Sequence, residues 1–297
     1  LRSSLTARVF SIQWLSKHYH ELEEKPSLII IDEAHHAVAK TYKEVMDAYP
    51  EARKLGLTAT PCRLNRRGFT DSFDVLLQSW SVKKFIADGW LSMYDYMSIR
   101  EDCEDWCIVK SLRKRGADGD FSLREMSEKL NVQPSIERLC DTILRYAPDK
   151  KGITYAIDIA HAERIAQYYR EHGLNAVAIS SKTPPEERKQ LIEWFRNTNC
   201  HELERDLNTN CHELSSNCRQ FKIQNSKIQN RLCRQFKTQN SKLKILITVD
   251  LFGEGFDCPD VEFIQLARPT LSLAKYLQQV GRGMRVFEGK KYCLILD

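Results

Sequence analysis

The chain has 297 residues, 42% of them hydrophobic and 29% charged, the ordinary balance of a soluble globular protein and enough for two modest domains. Its best apolar runs, Leu28 to Ile31 and Ile245 to Val249, are strand-sized, which excludes a membrane span from the expectation. The net charge is +5, but residues 198–242 hold eight Lys/Arg against four Asp/Glu, which accounts for +4 and leaves +1 to the rest, so bulk charge does not argue for nucleic-acid binding by the main body.

In chain order, Val9 to Ser16 reads as a strand or turn that enters a helix running to about Glu24. Ser27 to Ile31 is a short continuous apolar run, which suits a parallel strand buried on both faces. It ends in Asp32-Glu33-Ala34-His35. A helix over 39–48 and a strand over 54–58 follow, and Pro61 breaks the second strand. Ser81 to Asp88 reads as a helix stopped by Gly89, and Leu91 to Arg100 alternates like a strand. Charged residues with Gly116 and Gly119 then mark a connector. Short helices are expected over 122–130 and 134–146.

The next region alternates clearly. Strands are expected over 152–157, 176–180, 244–249, 263–266 and 292–296. Helices are expected over 159–172, closed by Gly173, over 184–196 with Pro at its start and acidic residues in its first turn, and from Ser272 to about Gly281. Strands alternating with helices indicate an α/β protein with parallel sheets. The expected organisation is a first domain over 1–100, a connector over 101–135 and a second domain over 136–297. Leu1 in place of a start Met and the apolar ending Leu294-Ile295-Leu296 suggest a piece of something longer, and no basic-then-apolar leader is present.

Residues 198–242 form an insert in the second domain. Asn197-Thr-Asn-Cys-His-Glu-Leu203 recurs as Asn208 to Leu214, and Cys218 to Lys227 recurs nearly unchanged as Cys233 to Lys242. These polar, Asn- and Gln-rich repeats cannot bury a core, so disorder or loose helix is expected. Metal binding by Cys200, His201, Cys211 and His212 is the alternative, but adjacent Cys and His match no usual zinc spacing. The other cysteines are scattered apart from one C-x3-C, Cys103 and Cys107, so free thiols in a reducing cytoplasm are expected.

Three motifs carry chemistry. In Leu28-Ile-Ile-Ile-Asp-Glu-Ala-His35 an apolar strand delivers adjacent carboxylates at its C-terminal end, where ligands of parallel sheets gather. One Asp there can hold Mg²⁺ through water while the next carboxylate orients and deprotonates an attacking water. Gly56-Leu-Thr-Ala-Thr-Pro61 places two small hydroxyl residues after a strand. Tyr276-Leu-Gln-Gln-Val-Gly-Arg-Gly-Met-Arg285 contains Gln278, Gly281, Arg282 and Arg285 in the spacing Q-x-x-G-R-x-x-R, and guanidinium groups suit a phosphate. Between the last two, Gly253 and Gly255 allow tight turns, and Asp250, Glu254 and Asp257 offer acceptors near a ribose or an arginine.

This order of motifs resembles that of superfamily 2 helicases of the DEAD/DEAH type. The segments Leu55-Gly-Leu-Thr-Ala-Thr-Pro-Cys-Arg-Leu-Asn-Arg-Arg-Gly-Phe69, Thr70-Asp-Ser-Phe-Asp74 and Ala267 through Arg285 resemble bacterial RadD-like DNA-repair helicases in particular. The resemblance implies two RecA-like domains, the first incomplete here, with ATP between them and nucleic acid, DNA rather than RNA, across their top. By position it implies Asp32 for Mg²⁺, Glu33 for the catalytic water, His35 coupled to Gln278, Arg285 as the arginine finger and Arg282 beside it on the phosphates. Asp257 and Gly255 would lie on the ribose side. Thr58 and Thr60 would link the nucleotide site to the second domain as coupling residues, and Thr248 and Asp250 would face the nucleic-acid or nucleotide edge of the second domain.

One departure stands out. The phosphate-binding pattern G-x-x-x-x-G-K-[ST] occurs nowhere in the chain; Gly289-Lys290 comes close, but Lys291 follows in place of Ser or Thr. No ATPase activity is therefore expected of the chain by itself. The other classes to weigh are a non-enzymatic nucleic-acid-binding remnant, the motor subunit of a type I or type III restriction system, and a zinc module built on the repeats.

Overall fold

The computed structural model describes residues 7–34, 37, 40–59, 72–116, 118–199, 243–249 and 257–297. His35, Thr60, Asp250, Gly255 and the Cys/His repeats lie outside these residues, and so does the metal alternative. The chain divides into two compact units, Leu1–Ser79 with Ser272–Ala274, and Trp80–Leu271 with Lys275–Asp297.

In the first unit, α1 (Ile12–His18) starts where the Ser11 hydroxyl accepts the Trp14 amide at 3.3 Å and ends with Lys17 and His18 near its free carbonyls. A 3-10 turn, Tyr19–Glu21, follows, so the helical stretch begins and ends a few residues before the expected span. Strands β1 (Leu28–Ile31) and β2 (Arg53–Gly56) pair in parallel from Leu28↔Arg53 to Ile31↔Gly56. Helix α2 (Lys40–Ala48) connects them. Ile29 and Ile31 pack towards the helices with Met46, Val45 and Tyr49. On the opposite face Leu28 and Ile30 are 48% and 58% exposed, with Leu55 and Leu57 exposed beside them, and no described element packs there. The expectation that β1 is buried on both faces is thus corrected, since only one layer of helix is described against this sheet.

The second unit holds a six-stranded sheet in the order β3-β8-β7-β4-β6-β5, every neighbouring pair parallel. The strands are β3 (Met93–Met97), β4 (Gly152–Tyr155), β5 (Ala176–Ile179), β6 (Ile245–Thr248), β7 (Phe263–Leu266) and β8 (Tyr292–Leu296). The helices are α3 (Val82–Ala87), α4 (Glu104–Lys110), α5 (Leu123–Leu130), α6 (Gln133–Tyr146), α7 (Ile159–Glu171), α8 (Pro185–Arg196) and α9 (Leu273–Gly283). Strand alternation divides the core into two layers. Ile245, Ile247, Phe263, Leu294 and Leu296 meet Ile136, Cys140 and Ile143 of α6 and Ile165, Ala166 and Tyr169 of α7. Leu246, Ile264, Ile153 and Cys293 meet Leu191 and Phe195 of α8 on the other side. Gln265, buried on β7, accepts from Thr154 at 3.0 Å and from Tyr169 at 2.6 Å and donates to the Leu139 carbonyl at 2.9 Å. That satisfied network ties the sheet to α6 and α7.

Two expected boundaries move. Residues 91–100, placed in the first domain by sequence, supply β3, which pairs with β8 from Met93↔Tyr292 to Met97↔Leu296. The division therefore falls near residue 80. The expected connector over 101–135 is a packed part of the second unit. Arg138 of α6 donates to both carboxylate oxygens of Asp105 on α4 at 2.6 Å each, and Leu112, Met126 and Leu130 are buried with Ile157.

The insert leaves and returns at one point. Buried Thr198 donates from its hydroxyl to the carbonyl of buried Leu243 at 2.9 Å, across 45 positions of sequence.

Candidate functional site

In the first unit the acidic pair sits where β1 ends. The Leu57 amide donates to the Ile31 carbonyl and the Ala34 amide to the Leu57 carbonyl, each at 2.8 Å. These two bonds clamp the chain on either side of Asp32-Glu33 and leave that dipeptide as a turn above the sheet. Glu33 has φ of 49°, a left-handed conformation that costs a residue with a Cβ on the order of 1 kcal/mol. Asp32 is exposed, and its Oδ1 accepts the Glu33 amide at 3.0 Å. Ala34 is buried against Gly56, where a Cβ would fall 2.8 Å from that of Ala34 and 2.7 Å from the Phe73 ring; glycine is what lets β2 approach. Half-buried Thr58 follows Leu57 directly, so the structure brings Asp32, Glu33 and Thr58 to one end of the small sheet.

The second group is built on α9. Gln278 and Arg282 stand four apart, on one face of the helix, and Arg285 follows just beyond its end. Arg285 Nη1 donates to Asp257 Oδ1. The expected arginine finger and the expected ribose-side carboxylate are thus partners of each other here. Thr248, the last residue of β6, is fully buried. It has no surface to offer nucleic acid, which corrects that expectation.

Asp120 was not singled out by sequence. Its buried carboxylate accepts from the Thr270 hydroxyl and the Leu271 amide at 2.7 Å each and from the Phe121 amide at 2.9 Å, with Lys275 at 3.6 Å. Burial pushes its pKa up, but the Leu271 amide, Thr270, the Phe121 amide and Lys275 outweigh burial and hold it below the usual carboxylate range. It anchors the segment that leads into α9. No sequence signal marks it, because Thr270 and Leu271, which it anchors, lie some 150 residues away.

The donor chemistry fits a hydrated Mg²⁺ at Asp32, an exposed carboxylate at the C-terminal end of a parallel strand with one oxygen already turned to the Glu33 amide. For phosphates the expected residues on or next to α9 are Arg282 and Arg285, the latter already paired with a carboxylate that an anion would displace.

Among known proteins, residues 3–63 match the family described as type III restriction enzyme, res subunit, and residues 203–287 match the family described as helicase conserved C-terminal domain. A 51.5 kDa protein of a Lactococcus phage (isolate 7-9) is 29% identical over 273 residues, which cover 92% of this chain and 49% of that protein. A solved fragment of a candidate HsdR subunit of a type I restriction enzyme from Vibrio vulnificus YJ016 superposes with a TM-score of 0.62 at 22% identity, covering 96% of this chain and 46% of that one. The ATP-dependent type ISP restriction-modification enzyme LlaBIII bound to DNA superposes with a TM-score of 0.53 at 15% identity, covering 96% of this chain and 19% of that one. The chain spans about half, or less, of the length of the proteins it matches. The structural likenesses establish an α/β fold of RecA-like parallel sheets, and the family matches support a superfamily 2 helicase.

Proposed function

We propose that this chain is part of the motor of an ATP-dependent DNA helicase or translocase of superfamily 2. The observation that carries the reading is the Asp32-Glu33 turn: two adjacent carboxylates held at the C-terminal end of a parallel strand, the second with φ of 49°. In this reading Asp32 holds Mg²⁺ through water and Glu33 orients the attacking water. Arg285 is the arginine finger, Arg282 lies beside it on the phosphates, and Gln278 couples to His35. Thr58 and Thr60 link the nucleotide site to the second domain, Asp250 faces the nucleic-acid or nucleotide edge of that domain, and Asp257 and Gly255 serve the ribose side. Bound ATP·Mg²⁺ would supply the free energy for movement; the chain's own residues bind it, orient water and balance charge. Thr248 is left out of this set by its burial. A reducing compartment such as the cytoplasm fits the five described cysteines, all free.

DNA is favoured over RNA on the resemblance to RadD-like DNA-repair helicases, and one matched structure, LlaBIII, is bound to DNA. The match of residues 3–63 to the res subunit also favours a second reading, the motor subunit of a type I or type III restriction system. The repair role rests on the RadD-like segments over 55–74 and 267–285.

Binding of fluorescent single-stranded DNA and RNA oligomers to the purified chain tests the proposal. Binding that weakens as salt rises, through release of counterions from the phosphates, is the expected result. Failure to hold either oligomer at low salt would overturn the reading. ATP turnover by the 297-residue chain is expected to be absent, since it contains no G-x-x-x-x-G-K-[ST] loop; turnover that disappears in Glu33→Gln would correct that part.

A further inference from the structure

Gly289-Lys290 looks in sequence like a fragment of a phosphate-binding loop, but the structure gives its lysine other partners. Gly289 has φ of 81°, a left-handed turn that glycine takes without strain. The turn closes through the Lys290 amide on the Phe287 carbonyl at 3.2 Å and sends the Lys290 side chain back under the end of α9. There Nζ donates to three backbone carbonyls: Gly283 at 2.5 Å, Arg285 at 2.8 Å and Pro259 at 3.1 Å. An ammonium has three donors, and all three are used. Two of the acceptors belong to the end of α9 and the residue that carries the arginine-finger guanidinium. The third belongs to the turn that carries Asp257. The charge also suits a helix C-terminus, where carbonyls are left over.

We propose that Lys290 is a positioning residue for Arg285: it ties the 257–259 turn to the 283–285 turn, so that the guanidinium is presented beside Asp257. The groups around the ammonium support this. Asp260, Glu262, Cys258 and Cys293 act on it through their charge, and Asp260 is engaged by buried Lys151 at 2.7 Å. Burial lowers the Lys290 pKa, and these neighbours oppose that effect. A surface lysine would have no such enclosure. The proposal rests on the reading that Arg285 meets phosphate; what is new is which residue holds it ready and that Gly289-Lys290 acts on backbone.

The test uses the whole 297-residue chain labelled for guanidinium NMR, with the Arg285 Nη–H signal assigned by its loss in Arg285→Lys. In the wild type that signal is expected to show the slowed exchange of a carboxylate-paired guanidinium, and to lose it in Asp257→Asn. Lys290→Met should lose it too, while amide protection in β4, β6 and β7 persists. Inorganic triphosphate should move the wild-type signal, and Lys290→Met should need about fivefold more of it or worse. If Lys290→Met does not fold, Lys290→Arg decides: a planar fork cannot serve three diverging carbonyls, so pairing must weaken in a folded protein. A wild-type Arg285 signal that ignores triphosphate overturns the phosphate role and this proposal with it. A signal that is paired and responds equally in wild type and in a folded Lys290 variant overturns the positioning role alone.

Discussion

Glu33 shows what residue types reveal and what they conceal. Two adjacent carboxylates after four apolar residues were legible in Leu28 to Glu33, and so was their place at a strand end. The left-handed backbone was not, because it follows from the two bonds through Leu57 that clamp the turn. His161 is another residue that periodicity could not single out. It is fully buried on α7, and its Nδ1 accepts the Ile157 amide at 3.3 Å. Burial first and Arg164 second push its pKa down to about 4, with Asp158 opposing. The unfolded chain takes up a proton near pH 6.5 that the folded chain refuses until about pH 4. The stability that depends on neutral His161 is therefore complete above pH 6.5 and lost as pH falls through this window, on the order of 3 kcal/mol in all. Denaturant melts from pH 7 to 4 should show this slope, and His161→Gln should flatten it. Equal slopes in the two proteins would remove His161 as the cause.

At the scale of elements, α9 was expected from Ser272 to about Gly281 and is found over Leu273–Gly283. What the sequence could not show is how closely α9 lies on the sheet. A Cβ at Gly283 would overlap the Cys293 sulfur on β8 and come within 2.8 Å of Ile264 Cγ1 on β7, so the last turn of the helix rests directly on two strands. That contact sets the height at which the chain continues to Arg285. Gly283→Ala is expected to destabilise the second unit by about 1–3 kcal/mol, the usual cost of overpacking a close-packed interior. Adding Cys293→Ala should recover part of the loss, because it removes the atom that would be struck. If Gly283→Ala melts with the wild type, the close approach does not hold in solution. Strand β1 makes the contrary point. Its unbroken apolar run suggested two buried faces, yet Leu28 and Ile30 face outward, because a run of apolar residues does not say how many layers cover it.

For the whole molecule, local pattern found nearly every element of the second unit but misplaced its border. Residues 93–97 alternate like a strand, and nothing in that alternation names β8 as the partner, some 200 residues later. Parallel pairing over such a separation is a tertiary fact. The insert is the opposite case, since its repeats mark it in sequence and the structure shows how the fold tolerates it. Thr198 and Leu243 are bonded to each other and both are buried, so β6 receives the chain at the place where α8 released it. The fold needs only that junction. Replacing residues 199–242 by a four-residue Gly/Ser link shortens the loop by three to four doublings, and each doubling costs about 0.6 kcal/mol of closure entropy. The shortened protein should be no less stable than the parent and up to about 2 kcal/mol more so, with the amide protection of β4, β5 and β6 retained. Thr198→Val in either background should cost about 1 kcal/mol, because it leaves the Leu243 carbonyl without that donor. A large loss on deletion, with β6 no longer protected, would mean that the repeats support the sheet and are not merely carried by it.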